Sequence, residues 1–227
     1  MTRRRTGILG GTFDPIHFGH LGAAEAARQA LHLDEILILP SASPPHRAAQ
    51  PQASGYHRFA MIALAIADRP RLVASDFELQ AMGPSYTAAS LHGLHDLGYQ
   101  ASQLFFLAGA DAFAEIATWK NYPAILDQAH FVVIARPGYS LEELRQRLPA
   151  LAVRMEAAHE LAGEQIPPKI FLVNAATPDI SSTTIRTRLA QDRDIADLVP
   201  ALVDDYIRRE RLYRGAPVSH KSGHPLA

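Results

Sequence analysis

Apolar residues gather in six short runs, at 6–9, 36–39, 71–74, 104–107, 131–135 and 170–173. Each run is strand-sized, and within most of them apolar positions follow one another without alternation, the pattern of strands covered on both faces. The intervening segments carry a helical period instead. They predict helices over 21–31, 58–68, 87–97, 111–118, part of 141–160, 183–191 and 201–211, with Pro149 ending or kinking the fifth. Strands alternating with helices predict an α/β fold built on a parallel sheet with helices on both faces. In such a sheet the ligand site lies in the loops leaving the C-terminal ends of the strands.

The stretch 41–55 contains Pro44-Pro45-His46-Arg47 and Pro51, too many prolines for regular structure, and reads as a long loop. Residues 1–215 are expected to form a single domain, with a small helical part over about 180–215, and the polar stretch 216–227 is expected to be a disordered tail. With 227 residues, 48% of them apolar, the chain has ample material for a core. Its net charge of −1 argues against nucleic acid or an anionic membrane surface as partner, but leaves small anionic substrates open. The absence of cysteine excludes disulfides, thiolate zinc sites and cysteine nucleophiles, and fits a reducing compartment, so a cytoplasmic location is expected. The apolar run after Arg3-Arg4-Arg5 is too short for an export signal, and no run approaches the ~20 residues of a membrane helix. His32, His57, His92, His95, His130 and His159 form no metal-ligand grouping and are expected to be structural or solvated; no protein-held metal is expected.

Candidate chemistry concentrates where the first strand runs into the first helix, at Gly10-Gly11-Thr12-Phe13-Asp14-Pro15-Ile16-His17-Phe18-Gly19-His20. Glycines let backbone N–H groups approach an anion, the helix start adds partial positive charge, and two imidazoles can donate to phosphoryl oxygens. The run is neither the G-x-G-x-x-G dinucleotide fingerprint nor a Walker A loop, since no lysine follows. A second helix start, Ile180-Ser181-Ser182-Thr183-Thr184-Ile185-Arg186, offers hydroxyls, amides and a guanidinium; alone it reads more readily as an ordinary N-cap with a surface arginine. Tyr86 and Trp119 suit either a flat aromatic ligand or a core, and Asp111 either a ligand or a helix start.

The first run matches, position for position, the GGxFDPxHxGH signature of the nucleotidyltransferase superfamily, and 180–186 resembles its ISSTxIR signature. With Pro84-Ser85-Tyr86-Thr87, Gly109-Ala110-Asp111, Trp119-Lys120-Asn121 and the 40–47 segment, the chain resembles the bacterial nicotinate-nucleotide adenylyltransferases over roughly 6–213. The resemblance implies a Rossmann-like sheet and adenylyl transfer from ATP to nicotinate mononucleotide, with Mg²⁺ accompanying ATP. It assigns His17 and His20 to catalysis. It assigns Gly10, Gly11, Thr12, Phe13, Asp14, Gly109, Asp111, Ser181, Ser182, Thr183 and Arg186 to ATP; Arg136, at the end of the fifth strand, is expected to contact adenosine or phosphate there, a solvated turn arginine being the competing view. His46 and Arg47 fall to phosphate contacts in the loop, with arginine where the family commonly has lysine. Ser85, Tyr86, Thr87, Trp119 and Lys120 fall to the mononucleotide. No family motif covers 145–169. The alternatives are a nicotinamide-mononucleotide or pantetheine-phosphate adenylyltransferase of the same fold, or a nucleotide sensor without turnover. Intact His17, His20 and Arg186 weigh against the sensor.

Overall fold

The computed structural model describes residues 4–44, 50–81, 83–135, 141–157, 167–175 and 177–214. His46, Arg47, Arg136, His159 and the 216–227 tail lie outside the described residues. The strands are β1 (Thr6–Gly11), β2 (Glu35–Pro40), β3 (Leu72–Ala74), β4 (Leu104–Gly109), β5 (His130–Ala135), β6 (Met155–Ala157) and β7 (Ile170–Asn174). They form one parallel sheet in the order β3-β2-β1-β4-β5-β7-β6. The chain winds outward from β1 to β3, then returns to place β4 on the other side of β1. Order therefore reverses between β1 and β4, where two adjacent loops diverge and open a crevice at the strands' C-terminal edge.

The helices are α1 (Phe18–Leu31), α2 (Gly55–Ala65), α3 (Phe77–Gln80), α4 (Thr87–Asp96), α5 (Ala110–Ala114), α6 (Leu141–Arg147), α7 (Ser182–Ala190) and α8 (Ala201–Arg209). The unbroken apolar strands are explained by two cores. In β4, Phe105 and Leu107 face a core shared with α1, α2, α7 and α8, while Leu104, Phe106 and Ala108 face one shared with α4 and α5. Ile185, Val199, Val203, Ile207 and Tyr213 belong to the first core, so the residues after 180 pack on the same sheet as α1.

Two expected helices are broken. Over 111–118, α5 stops at Ala114 and a separate 3₁₀ turn covers Ile116–Thr118, where the Thr118 N–H and hydroxyl both donate to the Glu115 carbonyl, at 2.9 and 2.8 Å. Over 141–160, α6 ends at Arg147, Pro149 opens a 3₁₀ turn, and Met155–Ala157 becomes an edge strand absent from the sequence expectation. Met-Glu-Ala has little strand preference of its own. The open edge of β7 recruits it, with Met155 opposite Ile170 and Glu156 paired to Lys169 at 2.6 Å.

His130 opens β5 fully buried, its ring stacked 4.6 Å from Phe105, and its Nδ1 accepts the Lys169 N–H at 3.0 Å. Burial disfavours the charged form and pushes its pKa from the ordinary 6.5 to about 4. The unfolded chain therefore takes up this proton first. Urea midpoints should fall as pH drops from about 6.5 towards 4, and His130→Asn should flatten that fall by up to ~1.4 kcal/mol per pH unit. An unchanged pH slope in the variant would contradict the assignment.

Candidate active site

The loop leaving β1 is shaped by close packing. A Cβ on Gly11 would stand 2.9 Å from the Phe13 ring, so only glycine leaves room for that ring to turn under the strand end. Phe13 takes φ 50° and is buried, its ring edge-on to His20 with centroids 5.0 Å apart. His17, extended at the N-cap of α1, folds its ring back over the first helical turn. A Cβ on Gly19 would lie 3.0 Å from His17 Nδ1 and 3.2 Å from the Pro178 carbonyl, which explains the glycine between the histidines. The imidazoles of His17 and His20 stack with centroids 3.7 Å apart, and both line the cleft.

The second helix start closes against the first loop. Ser181 caps α7 by accepting the Thr184 N–H at 3.1 Å, and the Ser182 hydroxyl donates to the Pro15 carbonyl at 2.9 Å. Arg186 donates to the Asp14 carbonyl at 2.7 Å and to Thr183 Oγ1 at 3.1 Å. Two motifs more than 160 residues apart are thereby joined into one wall. Their charge-assisted bonds also hold the guanidinium in a fixed pose.

Beneath that wall lies a polar layer that sequence reasoning missed. Asp14, buried, accepts from the Gln52 and Ala53 amides at 2.9 and 3.0 Å and from the Tyr213 hydroxyl at 2.7 Å. Its carboxylate is therefore taken up by structural bonds, and Asp14 is not among the residues lining the cleft. Burial, then Asp14's negative charge and its acceptance of the hydroxyl proton, pushes the Tyr213 phenol far above its ordinary range. Arg58, only 1% exposed, donates to the carbonyls of Thr12 and Ser41 at 2.7 Å each and of Ala53 at 3.2 Å. A signal for it existed. Arg58 occupies an apolar stripe with Met61, Ile62 and Ala65, where a lone arginine must be satisfied internally.

The cleft has a volume of about 480 Å³; Gly10, Gly11, Thr12, His17, His20, Ser181, Ser182 and Thr183 line its phosphate-suited end, and Gly109 lines it at the end of β4. Ser85, Thr87 and Trp119 line its far end and also a neighbouring pocket of about 380 Å³, whose wall adds Tyr86 and Lys120. Trp119 is half-buried, edge-on to Phe106 at 6.0 Å, and the Lys120 ammonium stands 4.5 Å from the Tyr86 ring centroid. That end joins an aromatic face to a cation and the first turn of α4. Phe13, Asp14, Asp111 and Arg186 lie outside the cleft lining, Asp111 exposed in the first turn of α5. The Ser85 hydroxyl accepts the Ala42 and Ser43 amides at 2.9 and 3.3 Å, which ties it to the loop after β2.

Among the described residues no group of three or more His, Cys, Asp or Glu side chains stands placed to hold a metal, and no helix is long and apolar enough to cross a membrane.

A parallel sheet with two helix starts and stacked histidines at its switch point defines a nucleotidyltransferase, and residues 8–188 match the cytidylyltransferase-like family. A protein of Roseiflexus sp. (strain RS-1) named "Probable nicotinate-nucleotide adenylyltransferase" is 42% identical over 94% of this chain and 100% of its own length. One of the same name from Geotalea daltonii is 41% identical over 92% of this chain and 98% of its own. The Plasmodium falciparum nicotinic acid mononucleotide adenylyltransferase complexed with NaAD shares the fold, with a TM-score of 0.69 at 21% identity, covering 93% of this chain and 98% of that one. This chain belongs to the nicotinate-nucleotide adenylyltransferase family.

Arg58→Met would leave three loop carbonyls without their shared donor. A loss on the order of 3 kcal/mol is expected, seen as a fall of roughly 6–12 °C in Tm. A shift within a degree or two of wild type would show that the buried guanidinium does not hold the loops.

Proposed function

We propose that this chain transfers the adenylyl group of ATP to nicotinate mononucleotide, forming deamido-NAD and pyrophosphate for NAD biosynthesis. The observation carrying this reading is a cleft that runs from the two joined helix starts and the stacked histidines to the Tyr86, Thr87 and Trp119 end. Full-length relatives bearing that family name support it.

The reaction needs no protein nucleophile. A 5′-phosphate oxygen of the mononucleotide attacks the α-phosphorus of ATP in line, a new P–O bond forms, and the bond to the β-phosphate bridge breaks to release pyrophosphate. Acceleration then comes from positioning and from donors aimed at charge on the α-phosphate. His17 and His20 take the donor role through imidazole N–H groups. Gly10, Gly11 and Thr12 bring backbone near the triphosphate, while Ser181, Ser182 and Thr183 face the departing pyrophosphate. Arg186 acts from behind that wall, fixing Thr183 against the Asp14 loop. Gly109 and Asp111 lie on the adenosine side. His46, Arg47 and Arg136 keep their proposed phosphate or nucleotide contacts. Trp119 and Tyr86 offer flat contact to the nicotinate ring, and Lys120 with the start of α4 suits its carboxylate. Ser85 serves by holding the segment in place.

The donor set fits Mg²⁺ carried by phosphate oxygens and water rather than by a protein cage. When bound it would neutralise phosphate charge.

Incubating the protein with ATP, Mg²⁺ and nicotinate mononucleotide should yield deamido-NAD and pyrophosphate in equal amounts, with the amide mononucleotide a poorer substrate. A clear preference for the amide would overturn the substrate assignment. His20→Ala should lower kcat by roughly 10²-fold with unfolding temperature little changed. Near-normal turnover by the folded variant would reject the role given to the histidine pair.

A further inference from the structure

Glu78, in the short α3, is nearly buried at 8% exposure, yet its side chain forms part of the cleft wall. A carboxylate beside a cleft that takes two polyanions is unfavourable by Coulomb's law, so its presence needs a structural reason. Its partners supply one. The Ser90 hydroxyl, one turn inside α4, donates to Glu78 Oε1 at 2.6 Å, and the Ser85 side chain also favours the ionised carboxylate. Ser85 Oγ already accepts from the Ala42 and Ser43 amides, while the Ser85 N–H donates to the Ser43 carbonyl at 2.9 Å. The oxygen's acceptor capacity is used, which leaves the hydroxyl proton to point at Glu78. One carboxylate thus holds the first turn of α4 through Ser90 and stands against Ser85 just before that helix. Burial pushes the Glu78 carboxyl above its ordinary range, and the two hydroxyls and the Arg58 charge pull it back.

We infer that Glu78 is a positioning residue for mononucleotide binding, holding Ser85 and the first turn of α4 so that Tyr86 and Thr87 face the nicotinate end. The inference rests on reading that end as the mononucleotide site. Glu78 acts through the serines and does not touch the substrate. Gln at 78 can accept through its carbonyl oxygen, but its amide nitrogen cannot accept the second hydroxyl.

The sign of the effect separates this role from simple electrostatics. Removing a negative charge beside an anionic substrate should lower its KM; loss of positioning should raise it. Steady-state kinetics of Glu78→Gln should show KM for nicotinate mononucleotide raised about tenfold, as for a lost hydrogen bond to a charged group. KM for ATP and kcat should stay within about threefold. Ser85→Ala should reproduce the shift, and the double variant should be little worse than either single one, because both break the same link. An unchanged or lowered mononucleotide KM, or an equal rise in both KM values, would overturn the inference. Should Glu78→Gln fail to fold, Ser85→Ala decides by the same split between the two KM values. If wild-type protein fails to turn over nicotinate mononucleotide, the reading of the site fails and takes this role with it. A normal wild-type rate beside an unshifted Glu78→Gln KM removes the Glu78 role alone.

Discussion

The guanidinium of Arg58 is buried beneath the cleft, and its bonds to the Thr12, Ser41 and Ala53 carbonyls hold together three segments that meet nowhere in the chain's order. Removing such a charge from water is costly, and the arrangement persists because each bond is charge-assisted and carboxylates lie nearby. Asp14 performs the complementary task, binding amides where Arg58 binds carbonyls, and it draws Tyr213 from the end of the described chain onto the same loop. The exits of β1 and β2 and the entry to α2 are therefore set relative to one another before any ligand arrives. The histidine pair inherits its position from that frame.

Preorganisation of this kind matters most for a reaction without a covalent intermediate. When the chemistry consists of aligning two phosphates and stabilising charge, donors that need no rearrangement contribute most. The stacked imidazoles, the bond from Ser182 to Pro15 and the Arg186 bridge from Asp14 to Thr183 give this wall of the cleft that rigidity. At the opposite end, Glu78 and Ser90 form a smaller frame of the same kind, again a buried carboxyl with a committed donor. Arg58 contributes to both, since its positive charge also reaches Glu78.

Some of this was readable from residues alone. Six of the seven strands appear as apolar runs, because burial on both faces of a parallel sheet leaves no polar positions to interrupt them. The seventh, Met155–Ala157, has no such signature, since an edge strand of three residues is recruited by its neighbour's open hydrogen-bonding groups. The break after Ala114 was likewise invisible, since no glycine or proline between 111 and 118 marks it. Glu78 lies in a four-residue helix too short to show periodicity.

By itself, the sequence determined the alternation of strand and helix, the histidine pair separated by a glycine, and the two phosphate-suited helix starts. Those features arise from local periodicity and from contiguous residue types. Only the tertiary structure decided that Asp14 and Ser85 bind loop amides, that Arg186 bridges Asp14 and Thr183, and that Arg58 and Tyr213 tie down the loops beside the cleft. The reason is physical: a polar side chain's role is settled by which partners satisfy it once water is excluded, and here those partners come from segments distant in sequence.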